Sequence, residues 1–446
     1  MTARHVALEV LLACRRHDAF VQEILNQQLA KSSIAGPDRR LASQLAYGVL
    51  RRRATLDALL NPFIERPLGG GKEAIQETLR LGVFQLAFLS RIPAHAAVHA
   101  TVELVGAGMK RFVNGVLRNV DRLLTPDIVE QPAQDALPLE SGRYRRLAKA
   151  VLPSPADNPV SYLAAGFALP TWLVARWLPR FGWEECLRLG FWFAATPPLW
   201  LRCNTLRTDR PTLLAALGAA GIEAEPGEHP QAIRLAEHGQ VRELPGYDEG
   251  WFAVQDESAM NIASALAPKP GDYVLDLCAA PGSKTTHLAE LMQNQGRIVA
   301  CDIDDGRLQT LRELANRLGV TIIETRRLES SENPVLPAGP FDAILVDAPC
   351  SNTGVLGRRP EARWRLHETD LTDLAKLQTK LLHQAVNRLK PGGKLVYSTC
   401  SIEPQENQEI VRSVMQAMAW LALTDEAERR PGNAADGGYW ARLSRF

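Results

Sequence analysis

Asp276–Thr285 reads DLCAAPGSKT, and the fold turns on this stretch. Before it, Asp272–Cys278 (DYVLDLC) is a short apolar run of the kind that forms a strand buried on both faces. After it, Thr285–Gln293 carries Leu288 and Leu291 on one side of a helix. The spacing predicts a strand, a sharp turn at Pro281-Gly282 and then a helix. Such a turn aims backbone N–H groups and the positive end of a helix dipole into a crevice at the carboxyl ends of parallel strands. Twenty residues beyond Gly282, Asp302 ends a second apolar run, Gly296–Asp302 (GRIVACD). A carboxylate there is placed to accept hydrogen bonds from a ribose diol. The dinucleotide fingerprint has three glycines and this turn has only Gly282. One adenosine with a carboxylate-bearing tail therefore fits better than a pyrophosphate, and S-adenosylmethionine is such a molecule. Its expected binding residues are Cys278, Ala279, Ala280, Pro281, Gly282, Ser283, Lys284 and Asp302.

Further along, Phe341–Asp347 (FDAILVD) is another apolar strand running into Ala348-Pro-Cys-Ser351. Lys390-Pro-Gly-Gly-Lys394 turns into Leu395–Ser401 (LVYSTCS). Cys350 and Cys400 thus follow the carboxyl ends of two strands, where α/β enzymes keep their chemistry. Strands at about 273–278, 297–302, 320–324, 342–347 and 394–399 alternate with helices at about 283–293, 305–318, 371–389 and 403–418. That alternation gives a doubly wound parallel sheet, closed by a final antiparallel strand at Gly437–Leu443.

Length and composition bound the rest. A chain of 446 residues holds two or three domains. The chain has neither an apolar run of about 18 residues nor a signal-peptide pattern, so a cytoplasmic protein without a membrane span is expected. Seven scattered cysteines without CxxC spacing argue for reduced thiols, against a disulfide framework and against a zinc site. Net charge is only +1, but residues 1–130 carry 17 Lys and Arg against 12 Asp and Glu.

Four segments follow from the pattern: a helical domain at 1–130, a linker at 131–160, a small α/β module at 161–268 and a Rossmann-like domain at 269–446. In the first, Val10, Leu11 and Cys14, then Leu41, Leu45 and Val49, then Leu79, Val83 and Leu86 recur at helical spacing. Turn signals separate these helices at Ala35-Gly-Pro37, Pro67–Gly71 and Pro93. Arg39-Arg40, Arg51–Arg53, Lys110-Arg111 and Arg118 are candidates for phosphate contact, against the plainer reading of solvated helix faces. Five prolines interrupt the linker, which has room for one helix near Tyr144–Val151. The module combines strands at Leu199–Cys203, Ile233–Leu235 and Trp251–Val254 with a helix that Asp256 caps. Six of the nine tryptophans fall between 172 and 251, which points to core packing before base stacking.

DLCAAPGSKT, DAPCS and STCS, in this order and spacing, resemble the RNA cytosine-C5 methyltransferases of the Nol1/Nop2/Sun family, most fully its bacterial Sun/Fmu type. DRRLASQLAYGVLRRRATLD, IPAHAAVHATVELV and FVNGVLRNV are similar to the NusB-type RNA-binding bundle that begins those enzymes. The resemblance implies S-adenosylmethionine as cofactor, small-subunit 16S ribosomal RNA as partner, and a module that frames the RNA cleft. A monomer without a metal is expected. Methylation of another RNA, such as transfer RNA, and a role as an inactive RNA-binding assembly factor are the rival readings.

Cytosine C5 is a poor nucleophile until a thiolate adds at C6, so the chemistry needs an activated cysteine. The resemblance assigns that role to Cys400, with Cys350 helping product release; DNA cytosine methyltransferases would put the nucleophile at Cys350. Asp347 is placed to serve either cytosine N3 or the cofactor. Lys284 suits either the cofactor carboxylate or an RNA phosphate. Arg358-Arg359-Pro360 and Arg363-Trp364 are expected on a lid contacting phosphates. Where the family usually has an acidic adenine contact after the third strand, this chain reads Glu324–Glu329 (ETRRLE), with Glu329 the nearest candidate.

Overall fold

Alternation along three central strands explains the main sheet. Val274, Ala343, Leu345 and Val396 pack into one layer, while Leu275, Leu277, Ile344, Val346, Leu395 and Tyr397 pack into the other. A strand buried on both faces is apolar at every position, hence the continuous runs. Each fully buried Leu among them contributes about 1.5–3 kcal/mol. The computed structural model describes residues 1–16, 20–64, 72–140, 142–236, 240–330, 334–432 and 434–446. The turn expected at Pro67–Gly71 lies outside the described residues.

The sheet has seven strands, in the order Ile323–Arg327, Arg297–Asp302, Tyr273–Leu277, Phe341–Asp347, Leu389–Thr399, Gly438–Arg445 and Leu421–Arg429. The first five are parallel; Gly438–Arg445 runs antiparallel to both of its neighbours, Leu389–Thr399 and Leu421–Arg429. The chain builds outward from Tyr273–Leu277 on one side, then restarts with Phe341–Asp347 on the other. The switch point therefore opens between the carboxyl ends of these two neighbours. Helices Glu257–Leu266, Ser283–Leu291 and Asp305–Leu318 cover one face, and Glu368–Val386 and Gln408–Ala417 the other.

Two strands differ from expectation. The third runs over Ile323–Arg327, not 320–324, because Gly319 ends the preceding helix at φ 74° and the Val320 N–H donates back to Ala315. Pairing with the neighbouring strand begins only at Ile323, opposite Ile298. Leu421–Arg429 was not anticipated. Its second half (DEAER) is charged and exposed, as suits the edge of a sheet, so periodicity does not mark it.

By contacts the chain divides into two units: Met1–Thr196 with Leu356–Leu366, and Pro197–Val355 with His367–Phe446. The second unit holds the seven-stranded sheet and a four-stranded antiparallel one, ordered Ala224–Pro226, Ala232–Leu235, Leu199–Cys203 and Phe252–Val254. At the centre of the latter, Arg202 is fully buried. Its guanidinium pairs with Glu290 at 2.7 Å and donates to the Ser283 carbonyl, tying this sheet to the helix that begins at Ser283.

The first unit packs helices Ala3–Arg16, Val21–Lys31, Gly36–Leu60, Glu73–Phe88, Ala94–Val102 and Ala107–Leu123 around one apolar core. Residues 131–160, expected as a linker, instead carry strands Ala136–Glu140 and Arg143–Leu147, which join Leu124–Val129 in an antiparallel sheet. The helix expected near Tyr144–Val151 is replaced by the central strand of the three. Pro138 is tolerated because its strand lies at the edge, where a missing N–H costs nothing. Pro159 opens the helix Pro159–Phe167 rather than breaking one, and Asn158 caps it.

Candidate active site

The turn after Tyr273–Leu277 is held almost entirely by backbone groups. Cys278 adopts φ 60° and Gly282 φ 103°. A Cβ on Gly282 would fall 2.6 Å from the Leu311 side chain, so a glycine is required both for conformation and for space. Ala279 N–H donates to the Cys301 carbonyl, and Ala280 N–H to Asp302 Oδ2 at 3.1 Å. Asp304 N–H donates to Asp302 Oδ1, also at 3.1 Å. The Asp302 carboxylate, nearly buried, thus faces the turn that it was expected to complement. Arg307 reaches the same point, donating to the Ala280 carbonyl and standing 3.8 Å from Asp302. Beside Asp302, Ile303 leaves an apolar side chain 47% exposed.

Beneath the turn, Asp276 is fully buried and Thr285 Oγ1 donates to its Oδ2 at 2.7 Å. Among the described residues its Oδ1 has no hydrogen-bond partner. Burial pushes the Asp276 carboxyl up to about 7, against the Thr285 hydrogen bond and with the help of the Asp347 charge.

Lys284 extends from the first turn of its helix to Asp347, with Nζ 2.7 Å from Oδ2. Burial works against the Lys284 charge, but the Asp347 carboxylate more than offsets it and holds the ammonium above its usual range. The other Asp347 oxygen accepts from Ser398 Oγ at 2.9 Å. Of the two partners expected for Lys284, neither a cofactor nor a phosphate is required to explain its position here; the carboxylate at the end of the next strand meets it.

Cys350 and Cys400, fifty residues apart, stand with their sulfurs 3.1 Å from each other. Cys400 Sγ also lies 3.2 Å from Asn352 Oδ1, and Asn352 Nδ2 donates to the Cys350 carbonyl at 2.9 Å. The hydrogen bond to Cys400, then burial, then the charges of Cys400 and Glu406 push the Cys350 thiol well up. Cys301, expected as inert core, is buried and pushed up to about 12 by that burial. Glu329 follows the carboxyl end of the third strand, whereas Glu324 sits near its start and pairs with Arg297.

The expected lid is not one. Leu356–Leu366 belongs to the first unit, where Arg363 is 1% exposed. Its guanidinium donates to the carbonyls of Arg51, Phe167, Ala168, Phe193 and Leu356. Trp364 Nε1 donates to the Leu50 carbonyl. Arg51 and Arg52, expected on a phosphate-contacting face, are buried too, and donate to the carbonyls of Gly357, Pro138 and Leu139. Arg40, Arg111 and Arg118 remain exposed. Consecutive arginines look alike in a sequence; only the acceptors around them, supplied from far along the chain, tell structural from solvated ones.

Residues 263–437 match the family described as 16S rRNA methyltransferase RsmB/F. The NusB family matches residues 1–122, and the RsmF/B-like ferredoxin-like domain matches 169–242. The probable ribosomal RNA small subunit methyltransferase B of Bacillus subtilis is 34% identical over 421 residues, covering 93% of this chain and 88% of its own. The chain belongs to the RsmB/F family. Two solved structures share the fold. PH0851 superposes with a TM-score of 0.79 at 23% identity, covering 100% of this chain and 99% of its own. NSun6 from Pyrococcus horikoshii with SFG gives 0.55 at 21% identity, covering 61% of this chain and 97% of its own.

In this RsmB/F-family chain, Asn352, Ser398, Arg307 and Glu406 were not among the residues singled out from the sequence. Ser398 opens the STCS motif itself and Asn352 directly follows DAPCS, so both could have been found from the two cysteine motifs. Glu406 gives no such signal, because nothing in its spacing shows where its carboxylate points.

Proposed function

We propose that this chain methylates C5 of a cytosine in 16S ribosomal RNA, using S-adenosylmethionine and a covalent Cys400–C6 adduct. The contact between the two thiols at the carboxyl edge of the sheet, at 3.1 Å, carries the reading. Family membership and the name of the B. subtilis relative support the RNA and the methyl transfer.

The crevice fits the cofactor chemically. Asp302 has carboxylate lone pairs for a diol, and Ile303 offers an apolar face to a base. Cys278–Lys284 would line the remainder. When bound, S-adenosylmethionine supplies an electrophilic methyl group. The chain's own residues do the rest. Cys400 adds to C6 as the thiolate, which turns C5 into an enamine-like nucleophile. Lys284 and Ser398 hold the Asp347 carboxylate near the reacting base. After methyl transfer the C5 proton passes to water, its C–H electron pair re-forms the C5–C6 double bond, and the C6–S bond breaks with its pair returning to Cys400 sulfur. Cys350, whose sulfur lies 3.1 Å from that of Cys400, protonates it as it departs.

Bisulfite sequencing of RNA from a deletion strain tests this directly. One cytosine of 16S ribosomal RNA should lose its mark, the intact chain should restore it, and Cys400→Ala should not. Restoration by Cys400→Ala would refute the mechanism, and loss of a mark in another RNA would refute the substrate.

A further inference from the structure

Glu406 is fully buried, and among the described residues its carboxylate accepts only from neutral groups. Oε1 accepts from the Ser351 N–H at 2.9 Å and from Gln378 Nε2 at 3.0 Å. Oε2 accepts from the hydroxyls of Ser351 and Ser401. Taking a carboxylate out of water without a counter-charge is costly, so its hydrogen bonds must be well made. These bonds have a pattern. Ser351 follows Cys350 and Ser401 follows Cys400, so one carboxylate grips the residue after each cysteine. Thr353 reinforces the join, its hydroxyl 3.1 Å from Ser401 Oγ and accepting from the Ile402 N–H at 3.0 Å. The clamp is itself fixed from behind. Tyr397 OH donates to the Glu406 carbonyl at 2.6 Å, and Gln378 Nε2 also donates to the Pro349 carbonyl at 2.9 Å.

We propose that Glu406 is a positioning residue for the two-thiol chemistry, holding the Cys350 and Cys400 loops in one register so that their sulfurs stay in contact as the base enters and leaves. The inference rests on the roles given above to the two cysteines. Glu406 touches neither sulfur. It acts through the two serines, and its charge adds to the influences that push the Cys350 thiol up.

The test reads sulfur proximity without RNA, so it stands apart from the fate of the reaction itself. Diamide takes two electrons and two protons from a pair of neighbouring thiols, leaving a disulfide and a hydrazine. The rate of Cys350–Cys400 disulfide formation in the full chain, followed by mass spectrometry of the joined peptides, measures how firmly the loops are held. Glu406→Ala should slow it by about tenfold or more, since several hydrogen bonds to a charged group are lost. Glu406→Gln should stay within about threefold of the unmodified chain, because its amide oxygen can serve Ser351 N–H and Gln378 while its NH2 donates to both hydroxyls. Ser401→Ala, which cuts one arm only, should fall between. With RNA, Glu406→Ala should accumulate covalent adduct while binding S-adenosylmethionine normally. Cross-linking at the unmodified rate in folded Glu406→Ala overturns the proposal, as does a Glu406→Gln rate as slow as that of the alanine variant. If Glu406→Ala does not fold, an unchanged rate in Ser401→Ala overturns it equally. Should Cys400→Ala keep activity, the cysteine reading falls, but the cross-linking result still decides whether Glu406 holds the loops.

Discussion

Two sites share one edge of the sheet and are built in opposite ways. The crevice at Cys278–Lys284 is made by seven consecutive residues plus Asp302, and mostly by backbone: positive φ values, N–H groups and a missing Cβ. The thiol site is made by side chains from segments fifty residues apart, locked by a buried carboxylate. A backbone-built site tolerates the loss of a single side chain with partial loss of binding. In a side-chain-built site each group carries one indispensable step.

That contrast is sharpened most strongly by Cys350→Ala. Addition and methyl transfer remain open to it, but protonation of the departing sulfur does not. Turnover should fall by about 10²–10⁴-fold, the range of general acid–base catalysis. The enzyme should then run as a slow band on a denaturing gel, joined to methylated RNA and collapsed by nuclease. An adduct-free, active Cys350→Ala would dissolve the division of labour between the two sulfurs.

Asp276 comes next, because it lies beneath the backbone-built site yet carries a side-chain charge. Its carboxyl is pushed up from 3.8 to about 7 in the folded chain, so the folded state holds this proton more tightly than the unfolded state. Its contribution to stability is therefore full below about pH 4 and is lost as pH rises through about 7, by up to about 4 kcal/mol. Asp276→Asn mimics the protonated form. The variant should gain stability relative to the native chain between pH 5 and pH 8, seen as a growing difference in melting temperature. A constant difference across that range would show that Asp276 titrates normally.

Asp302→Ala should have the smallest effect. One charge-assisted hydrogen bond to a ribose hydroxyl amounts to about 1.5–3 kcal/mol, or roughly ten- to a hundredfold in affinity. Calorimetric titration of S-adenosylmethionine measures it. Unchanged affinity in a folded variant would place the ribose elsewhere in the crevice.

The same contrast explains what could be read from the sequence. DLCAAPGSKT and Asp302 were legible because strand, turn and helix are local and the glycine announces the turn. The seven-stranded sheet followed from alternating apolar runs, except the charged edge strand Leu421–Arg429. Cys350 and Cys400 were legible as motifs, but not their contact or the carboxylate that joins their loops. Arg51, Arg52 and Arg363 were misread because a guanidinium that satisfies buried carbonyls and one that waits for a phosphate have the same letter. The strands at Ala136–Glu140 and Arg143–Leu147 were hidden by prolines that fall at an edge or at the start of a helix, where they break nothing.

Leu356–Leu366 has a practical consequence for dissecting the protein. The polypeptide leaves the catalytic unit five residues after Cys350, supplies Arg363 and Trp364 to the interior of the N-terminal unit, and returns at His367. The two units are thus stitched by three crossings of the chain. A fragment ending near Thr196 would be left with unfilled carbonyls at Arg51 and Phe167, and the complementary fragment would carry an arginine cut off from its acceptors. Neither half is a cassette that can be exchanged between relatives by a single cut. A swap that keeps both folds must carry the eleven-residue stitch with the N-terminal half.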